Sequence, residues 1–423
     1  MKIRILILIA ILGFFAGKGF SQANSNEEFN GGSPYTIFGI GDLKLNNSVR
    51  TDGMSVLGIG LQGDYINTLN PAANTMLQYT KFSIGANYGY LESTNGLQTT
   101  KINEGNITGI NIGIPLDKET GWVLNFGINP MSEVNYQIIS NRNTGGEAYT
   151  NTYSGEGGLT RINIAMAYRF LNSISIGGEY NYAFGNITSQ RTTDFENTAI
   201  FDNFSRKEID LSKSFFKGGM IFAVENLVNK KSKNLKYLTF GFFYQMPIDL
   251  DANEESIVAT SVATDSNVVR TGTISIPAAY GFGISNRFGD RVNVAVDAYF
   301  QQWADYTEFG VTPSNFTNSS RFGAGIEFLP SPDRDRTFFE RLTYRAGGFY
   351  EKAYYIVNSE EIKTLGFSLG VGIPISDYNS LDLSFAYSMR GTEDNGLIKD
   401  NLFMVNAGFN FGELWFLKPN EDF

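Results

Sequence analysis

From Thr80 to the C-terminus, apolar and polar residues alternate along many short segments. The clearest segment spans residues 381–389, where every second side chain is large and apolar. Alternate residues of a β-strand face opposite sides of the sheet, so this period predicts strands with one apolar and one polar or small-residue face. Soluble β-sandwiches alternate in the same way. The pattern alone therefore predicts an all-β protein, but it does not distinguish a soluble protein from a membrane protein.

The lengths of the strands and links favour a membrane barrel. Most predicted strands reach the roughly 9–11 residues that a tilted transmembrane strand needs. Long links alternate with mostly shorter ones, as in outer-membrane barrels with long outer loops and short periplasmic turns. Two soluble β-domains would need a linker, yet the sharpest composition shift spans only a turn. The fourteen strands are placed near 80–91, 106–115, 121–129, 158–170, 173–187, 213–225, 236–247, 274–286, 291–303, 320–329, 341–351, 362–373, 380–390 and 401–412.

The first residues have the pattern of a secretion signal. Lys2 and Arg4 precede an apolar run from Ile5 to Phe15, and small residues follow it up to Ala23. The run is shorter than the about 20 residues of a membrane-spanning helix. We therefore expect residues 1–23 to be a cleaved signal peptide and the mature chain to lie in the outer membrane.

The segment between signal and barrel carries no sustained alternation. Residues 24–79 begin polar and then become rich in Gly, Asn, Leu and Ile. A stretch of this kind ahead of a barrel predicts an N-terminal plug inside it. The predicted division is thus a plug over 24–79, a barrel of about fourteen antiparallel strands over 80–412, and a tail over 413–423.

Composition supports this interpretation and excludes several functions. The chain holds 46 Gly, 22 Tyr and 35 Phe among 423 residues, with 18% charged residues, which fits β-structure facing an apolar solvent. A net charge of -10 argues against nucleic-acid partners, which require basic patches. Without His or Cys, Ser–His and Cys–His catalysis and most transition-metal sites are ruled out. We expect no enzymatic activity, no cofactor and no bound metal.

Several side chains are expected to face the lumen by parity. In the interpretation that we favour for each residue, aromatic side chains pack against the plug and charged side chains pair with each other. The other interpretation gives them contact with a ligand in a largely apolar pocket. Trp303, at a strand end, is expected to belong to an interfacial aromatic girdle. The candidates are Tyr237, Phe243, Tyr299, Phe349 and Arg345.

With the strands placed, the chain resembles the FadL family of outer-membrane transporters for hydrophobic compounds. The resemblance starts at Gly58 to Ala73, GIGLQGDYINTLNPAA, and continues through Ile276-Pro277-Ala278 and the strand end at Gln302-Trp303. It spans most of the chain from Ser33 to Phe411. The opening SPYTIFGIGDL and residues 414–418 are similar to Bacteroidota members of this superfamily, among them PorV-like proteins that serve secretion machinery.

The resemblance implies two local features. Asn70, Pro71 and Ala72 would form a turn that lines the conduit, although a plain structural turn would use the same chemistry. Pro130 would mark the edge of a lateral opening at the third strand, because proline removes a ladder hydrogen bond. A strand that simply ends at a loop explains Pro130 equally well.

Two functions follow from these expectations. The first is passive uptake of a fatty-acid-like hydrophobic small molecule, caught by the long outer links 188–212 and 248–273. The alternative is a non-transporting barrel subunit, PorV-like, of a protein secretion or outer-membrane assembly machine. Its plug would seal the pore, and its loops or tail would bind protein partners. Outer-membrane lipid surrounds the barrel in both cases.

Overall fold

The structure is a computed structural model. It describes residues 31–45, 47–170, 173–197, 199–225, 235–260, 263–289, 291–330 and 337–413. The expected signal peptide and residues 414–423 of the expected tail lie outside these ranges. No helix in the described ranges is long and apolar enough to cross a membrane.

Strands make up nearly all of the regular structure. One short helix, α1 (Val49–Asp52), and several 3₁₀ turns accompany them. The strands are β1 Asp42–Leu43, β2 Thr80–Thr94, β3 Thr99–Asp117, β4 Trp122–Pro130, β5 Ser132–Thr144, β6 Glu147–Phe170, β7 Ile174–Phe195, β8 Asn203–Ala223, β9 Thr239–Gln245, β10 Ile248–Thr260, β11 Ala263–Ile276, β12 Ala279–Phe288, β13 Val292–Gln301, β14 Thr307–Glu308, β15 Ser319–Phe328, β16 Thr343–Val357, β17 Glu360–Pro374, β18 Ser380–Gly391 and β19 Lys399–Glu413.

These strands form one closed antiparallel barrel. Each barrel strand pairs with its neighbours in sequence, and β19 pairs with β2 from Lys399↔Thr94 to Glu413↔Thr80, which closes the ring. Three barrel strands consist of two segments each, namely β4–β5, β9–β10 and β11–β12, and β1 and β14 are short additions. The ring therefore has fourteen strands, and the predicted fold class is confirmed.

The outer half of the barrel differs from the prediction. Links 130–157, 188–212 and 248–273, expected to be loops, are mostly strand, and tight tips such as Gly145-Gly146 join them. The prediction of ligand-catching loops there is wrong. In these extensions charged and polar residues occupy both faces, as at Asn253-Glu254-Glu255, so the apolar alternation that identified the lower strands is absent.

The barrel's outer surface is apolar where a soluble protein would be polar. Large apolar side chains are exposed on nearly every barrel strand; Phe385, Leu369 and Phe282 are 54%, 63% and 52% exposed. The opposite faces of the same strands bury Asp, Glu, Asn and Arg. Such an inverted distribution is stable only if the outer surface faces lipid.

The two described tryptophans behave differently. Trp122 is exposed at the barrel end where β4 begins, in agreement with a girdle position. Trp303 is fully buried and stacks on Tyr354, with 4.1 Å between ring centroids. Its predicted girdle position is wrong because the chain turns inward after β13 in a 3₁₀ turn, Trp303–Asp305.

Residues 33–79, called the luminal segment below, run through the interior of the ring. Helix α1 contacts β17, β18 and β19, and the 3₁₀ turn Pro71–Met76 contacts β4, β6, β7 and β8 on another side. Glycines of the wall allow this approach. A Cβ at Gly347 would collide with the Met54 carbonyl oxygen, and one at Gly219 with the Asn70 side chain.

Placing a charge on the lipid-facing surface tests the membrane assignment. We expect Phe385→Arg to lower the free energy of unfolding in lipid vesicles by about 2–4 kcal/mol, because the guanidinium would face hydrocarbon. The matched control is Leu97→Arg, at the 93% exposed tip between β2 and β3. Urea titrations in vesicles measure both variants. Equal effects of the two substitutions would contradict a lipid-facing position for Phe385.

Candidate functional site

The third barrel strand is interrupted at Met131. Below this point β4 pairs with β3 on one side and β6 on the other. Above it β5 keeps its pairing with β6 but no longer pairs with β3. Pro130, the last residue of β4, has no N–H to donate, which favours the interruption at this position.

The luminal segment takes the place of β3 beside β5. Strand β1 pairs antiparallel with β5 at Asp42↔Glu133 and Leu43↔Ser132. The Lys44 N–H donates to the Met131 carbonyl at 2.9 Å, and Thr36 Oγ1 exchanges hydrogen bonds with the Asn135 backbone. The lower edge of β5 is therefore satisfied from inside the barrel, which draws β5 away from β3.

A lateral gap results between β3 residues 99–109 and β5. No backbone pairing joins the two strands over this stretch of described residues. One side-chain hydrogen bond crosses the gap, from Asn106 Nδ2 to Glu133 Oε1 at 2.9 Å. Glu133 also forms an ion pair with Lys44 at 2.7 Å. Asn106, Glu133 and Lys44 thus form a polar latch across the gap.

Behind the gap lies a cavity of about 500 Å³, called the chamber below. Residues of the luminal segment, the third strand and strands β2, β3 and β15–β19 surround it. Its apolar lining includes Leu43, Leu45, Leu57, Ile107 and Met404. This size and partly apolar lining are typical of small-molecule sites.

Charged side chains also line the chamber, together with uncharged polar residues. Arg390 binds Asp42 at 2.8 Å and Asp400 at 3.2 Å, and Arg321 binds Glu351 at 2.9 Å while stacking on Phe349. The remaining cation is Lys44, already bound to Glu133. All three cations of the wall therefore have carboxylate partners.

One chamber carboxylate stands outside these pairs. Asp52, at the end of α1, forms no ion pair within 4 Å and no side-chain hydrogen bond among the described residues. Burial raises the pKa of Asp52 to about 7, and the guanidinium of Arg321 acts in the opposite direction.

A buried ion-pair network closes the chamber toward the periplasmic end. Arg50 of α1 binds Glu327 at 2.6 Å, Glu327 accepts from Arg345 at 2.9 Å, and Arg345 binds Asp382 at 2.6 Å. Glu327 is 1% exposed, and Asn293 donates to it at 3.1 Å. A second cavity of about 380 Å³ begins below this network, so α1 and its ion pairs form the floor of the chamber.

Beside the chamber, the barrel interior is filled by apolar packing. One large buried cluster joins inward residues of β5–β11 to the luminal segment and to the Trp303 turn; it includes Tyr35, Ile40, Leu211, Leu250, Ile274 and Tyr354. The space that this packing does not fill is the chamber, which lies next to β15–β19, β2 and β3.

The structure places Asn70, Pro71 and Ala72 in a buried turn. Asn70 Oδ1 accepts from the Ala72 N–H at 3.1 Å, and Asn70 Nδ2 donates to the Ile59 carbonyl at 2.7 Å. None of the three residues lines the chamber or the second cavity. Their contacts are those of a turn that docks the luminal segment onto β7 and β8.

The predicted lumen-facing residues separate into different environments. Phe243 and Tyr299 stack at 5.9 Å between centroids in a cluster with Leu57. Phe349 lines the chamber, and Arg345 belongs to the floor network. Phe243 and Tyr299 are thus packed in the interior and Arg345 is ion-paired, whereas Phe349 faces a cavity.

Tyr237 is the exception. It lies in the turn before β9 instead of in a strand, with Arg287 over its ring at 4.3 Å. The chamber residues Asp42, Lys44, Asp52, Arg390 and Asp400 were not predicted. The available sequence signal was an acidic residue at inward parity, Asp400 of β19, but the luminal-segment residues Ser33 and Asp42 that complete its cluster with Arg390 lie more than 300 residues away.

Solved structures with a similar fold include a FadL homologue and two toluene transporters. A Pseudomonas aeruginosa FadL homologue matches with a TM-score of 0.60 at 11% identity, covering 87% of this chain and 98% of that one. The Ralstonia pickettii toluene transporter TbuX matches at 0.57, with 12% identity and coverage of 91% and 99%. The P. putida toluene transporter TodX matches at 0.56, with 12% identity and coverage of 86% and 98%.

This chain therefore shares the fold of FadL-like β-barrels. The BamG family model matches residues 2–421, and the chain belongs to the BamG family. No curated protein matches the chain significantly. The predicted relation to the PorV-like branch remains a prediction.

Removing the charge of Glu327 tests the chamber floor. We expect Glu327→Gln to lower the free energy of unfolding by about 3–5 kcal/mol, because Arg50 would remain buried without its carboxylate partner. Glu208→Gln, which breaks the exposed pair with Arg206, is the control and should cost about 1 kcal/mol or less. Urea unfolding in vesicles compares the two. A Glu327→Gln effect as small as the control would show that the network does not hold the floor.

Proposed function

We propose that the protein is a channel for passive uptake of hydrophobic small molecules across the outer membrane. The observation that carries the proposal is the gap between β3 and β5, which opens onto a chamber of about 500 Å³. In this proposal residues 24–79 act as the plug of the barrel 80–412, and Pro130 marks the edge of the lateral opening.

The chamber suits a ligand that arrives from the lipid phase. Ile107, 59% exposed, stands at the gap and also lines the chamber, so an apolar path connects the outer surface with the interior. A hydrophobic molecule would enter by this path without crossing the packed outer half of the barrel. The shared fold with the named toluene transporters supports the proposal without identifying a substrate.

Release of the ligand toward the periplasm requires α1 and its ion pairs, which form the floor of the chamber, to move. Arg50 and Glu327 separate the chamber from the second cavity, and both belong to the ion-pair network. A shift of α1 would break the Arg50–Glu327 pair and join the two cavities. The luminal segment is thus the moving part in this mechanism, and its link to β5 through β1 couples it to the gap.

Cross-linking the gap tests lateral entry. The chain has no native Cys, so the double variant Asn106→Cys/Glu133→Cys can be bridged with a short bis-maleimide reagent. We expect bridging to reduce accumulation of naphthalene in expressing cells at least fivefold, because the two strands that border the gap can then no longer separate.

The matched control is Asn141→Cys/Thr150→Cys, which bridges β5 to β6 where they are already paired. It should leave accumulation unchanged, as should the reagent on either single variant at the gap. Unreduced accumulation in the bridged gap variant would contradict lateral entry.

A specific observation favours a second candidate function. Residues 99–109 of β3 pair only with β2 in the described structure, so one strand edge stays open beside the gap. An open edge can accept an extended segment of another protein. This fits the alternative of a non-transporting, PorV-like subunit of a secretion or outer-membrane assembly machine.

Photocross-linking separates this candidate from uptake. A photoreactive amino acid at Asn103 of β3, in cells producing the full-length protein, should capture a partner protein if the edge is occupied. The control position is Lys363 of β17, exposed elsewhere on the barrel. Capture at Asn103 and not at Lys363, together with co-purification in gentle detergent, supports a machine subunit. A monomer without cross-links contradicts it.

A further inference from the structure

We propose that the chamber selects amphiphiles with a cationic headgroup, such as an alkylammonium. This inference rests on the proposed uptake function and names the substrate class of the same site. It follows from the unequal pairing of charges on the chamber wall, combined with the apolar path that leads to the gap.

The cations of the wall have no free capacity for an anionic ligand. Lys44 is held by Glu133, Arg390 by Asp42 and Asp400, and Arg321 by Glu351. An incoming carboxylate would have to replace one of these partners and leave it unpaired inside the barrel. Such an exchange gains little, since one ion pair is lost for each one formed.

Carboxylates, in contrast, have unused acceptor capacity. They outnumber the cations five to three among the lining residues. Asp52 has no ion pair within 4 Å and no side-chain hydrogen bond among the described residues. Asp400 is 1% exposed, and its Oδ1 is buried without a hydrogen-bond partner, while its Oδ2 accepts from Ser33 and Arg390. A buried acceptor without a partner is unfavourable unless a donor reaches it.

The position of Asp52 fits a headgroup at the inner end of an amphiphile. Asp52 belongs to the floor helix α1, whereas Ile107 stands at the gap, and both line the chamber. An alkyl chain along Leu57, Met404 and Ile107 would place an ammonium group beside Asp52. The ammonium group would then give the Asp52 carboxylate a counter-ion that no described residue supplies within 4 Å.

Binding of three eight-carbon probes tests the inference. Octylammonium, octanoate and octanol are compared by equilibrium dialysis against the full chain in amphipol at pH 8. We expect octylammonium to bind about tenfold more tightly than either other probe, since a hydrogen bond to a charged group is worth at least that factor. Asp52→Asn should remove most of this preference.

Asp249→Asn is the matched control, because Asp249 is exposed on β10 and lies outside the chamber. It should keep the full preference for octylammonium. Equal binding of octylammonium and octanoate by the wild type would overturn the headgroup inference while leaving the uptake proposal standing. So would an unchanged preference in Asp52→Asn. Failure of all three probes to bind would contradict the chamber as a ligand site, and with it the proposed function.

Discussion

A fourteen-stranded barrel encloses more space than its own inward side chains can fill, and this constraint shapes the rest of the molecule. About eight strands is the size at which side chains alone fill the interior. Here the luminal segment supplies the missing volume, and the wall adapts to it with glycines where backbone meets backbone, as at Gly347 beside Met54. On one side the filling is largely apolar, apart from the buried pairs of Glu179 with Lys217 and Arg161. On the other side it is incomplete, and the chamber is what remains.

The charges inside the barrel follow from the same constraint. A luminal segment held only by apolar contacts would have few features that fix its position. Arg50 inserted between Glu327 and the ring of Tyr65 specifies one position of α1 against the wall. Buried ion pairs contribute little net stability, because desolvation offsets attraction, but breaking one is costly. The network therefore fixes the position of α1 along the wall. It would resist a partial displacement of α1 more strongly than apolar contacts would.

Sequence alternation predicted the barrel well and the site poorly, for identifiable reasons. The lower strands alternate because one face meets lipid, and the strand at 380–390 is recognisable for that reason alone. From Asn253 onward, β10 carries polar residues on both faces, so this part resembles a loop in sequence although β10 pairs along its length. Trp303 lies at a strand end, and only the inward turn that follows decides its environment. The chamber joins Asp42 to Arg390 across nearly the whole chain, a contact that no local pattern encodes.

The position of β5 links these features to activity. A strand in a membrane barrel cannot leave its neighbour without leaving backbone groups unpaired, which is costly in hydrocarbon. β5 does so because β1 and Thr36 of the luminal segment satisfy its lower edge from inside. The gap and the luminal segment are thus two parts of one arrangement.

Any movement that withdraws β1 from β5 would favour re-pairing of β5 with β3 and closure of the gap, while a shift of α1 would open the floor. Under the proposed uptake function, the few residues between β1 and α1 would couple the two ends of the chamber. Such coupling would let the barrel admit a ligand from lipid without a continuous open pore.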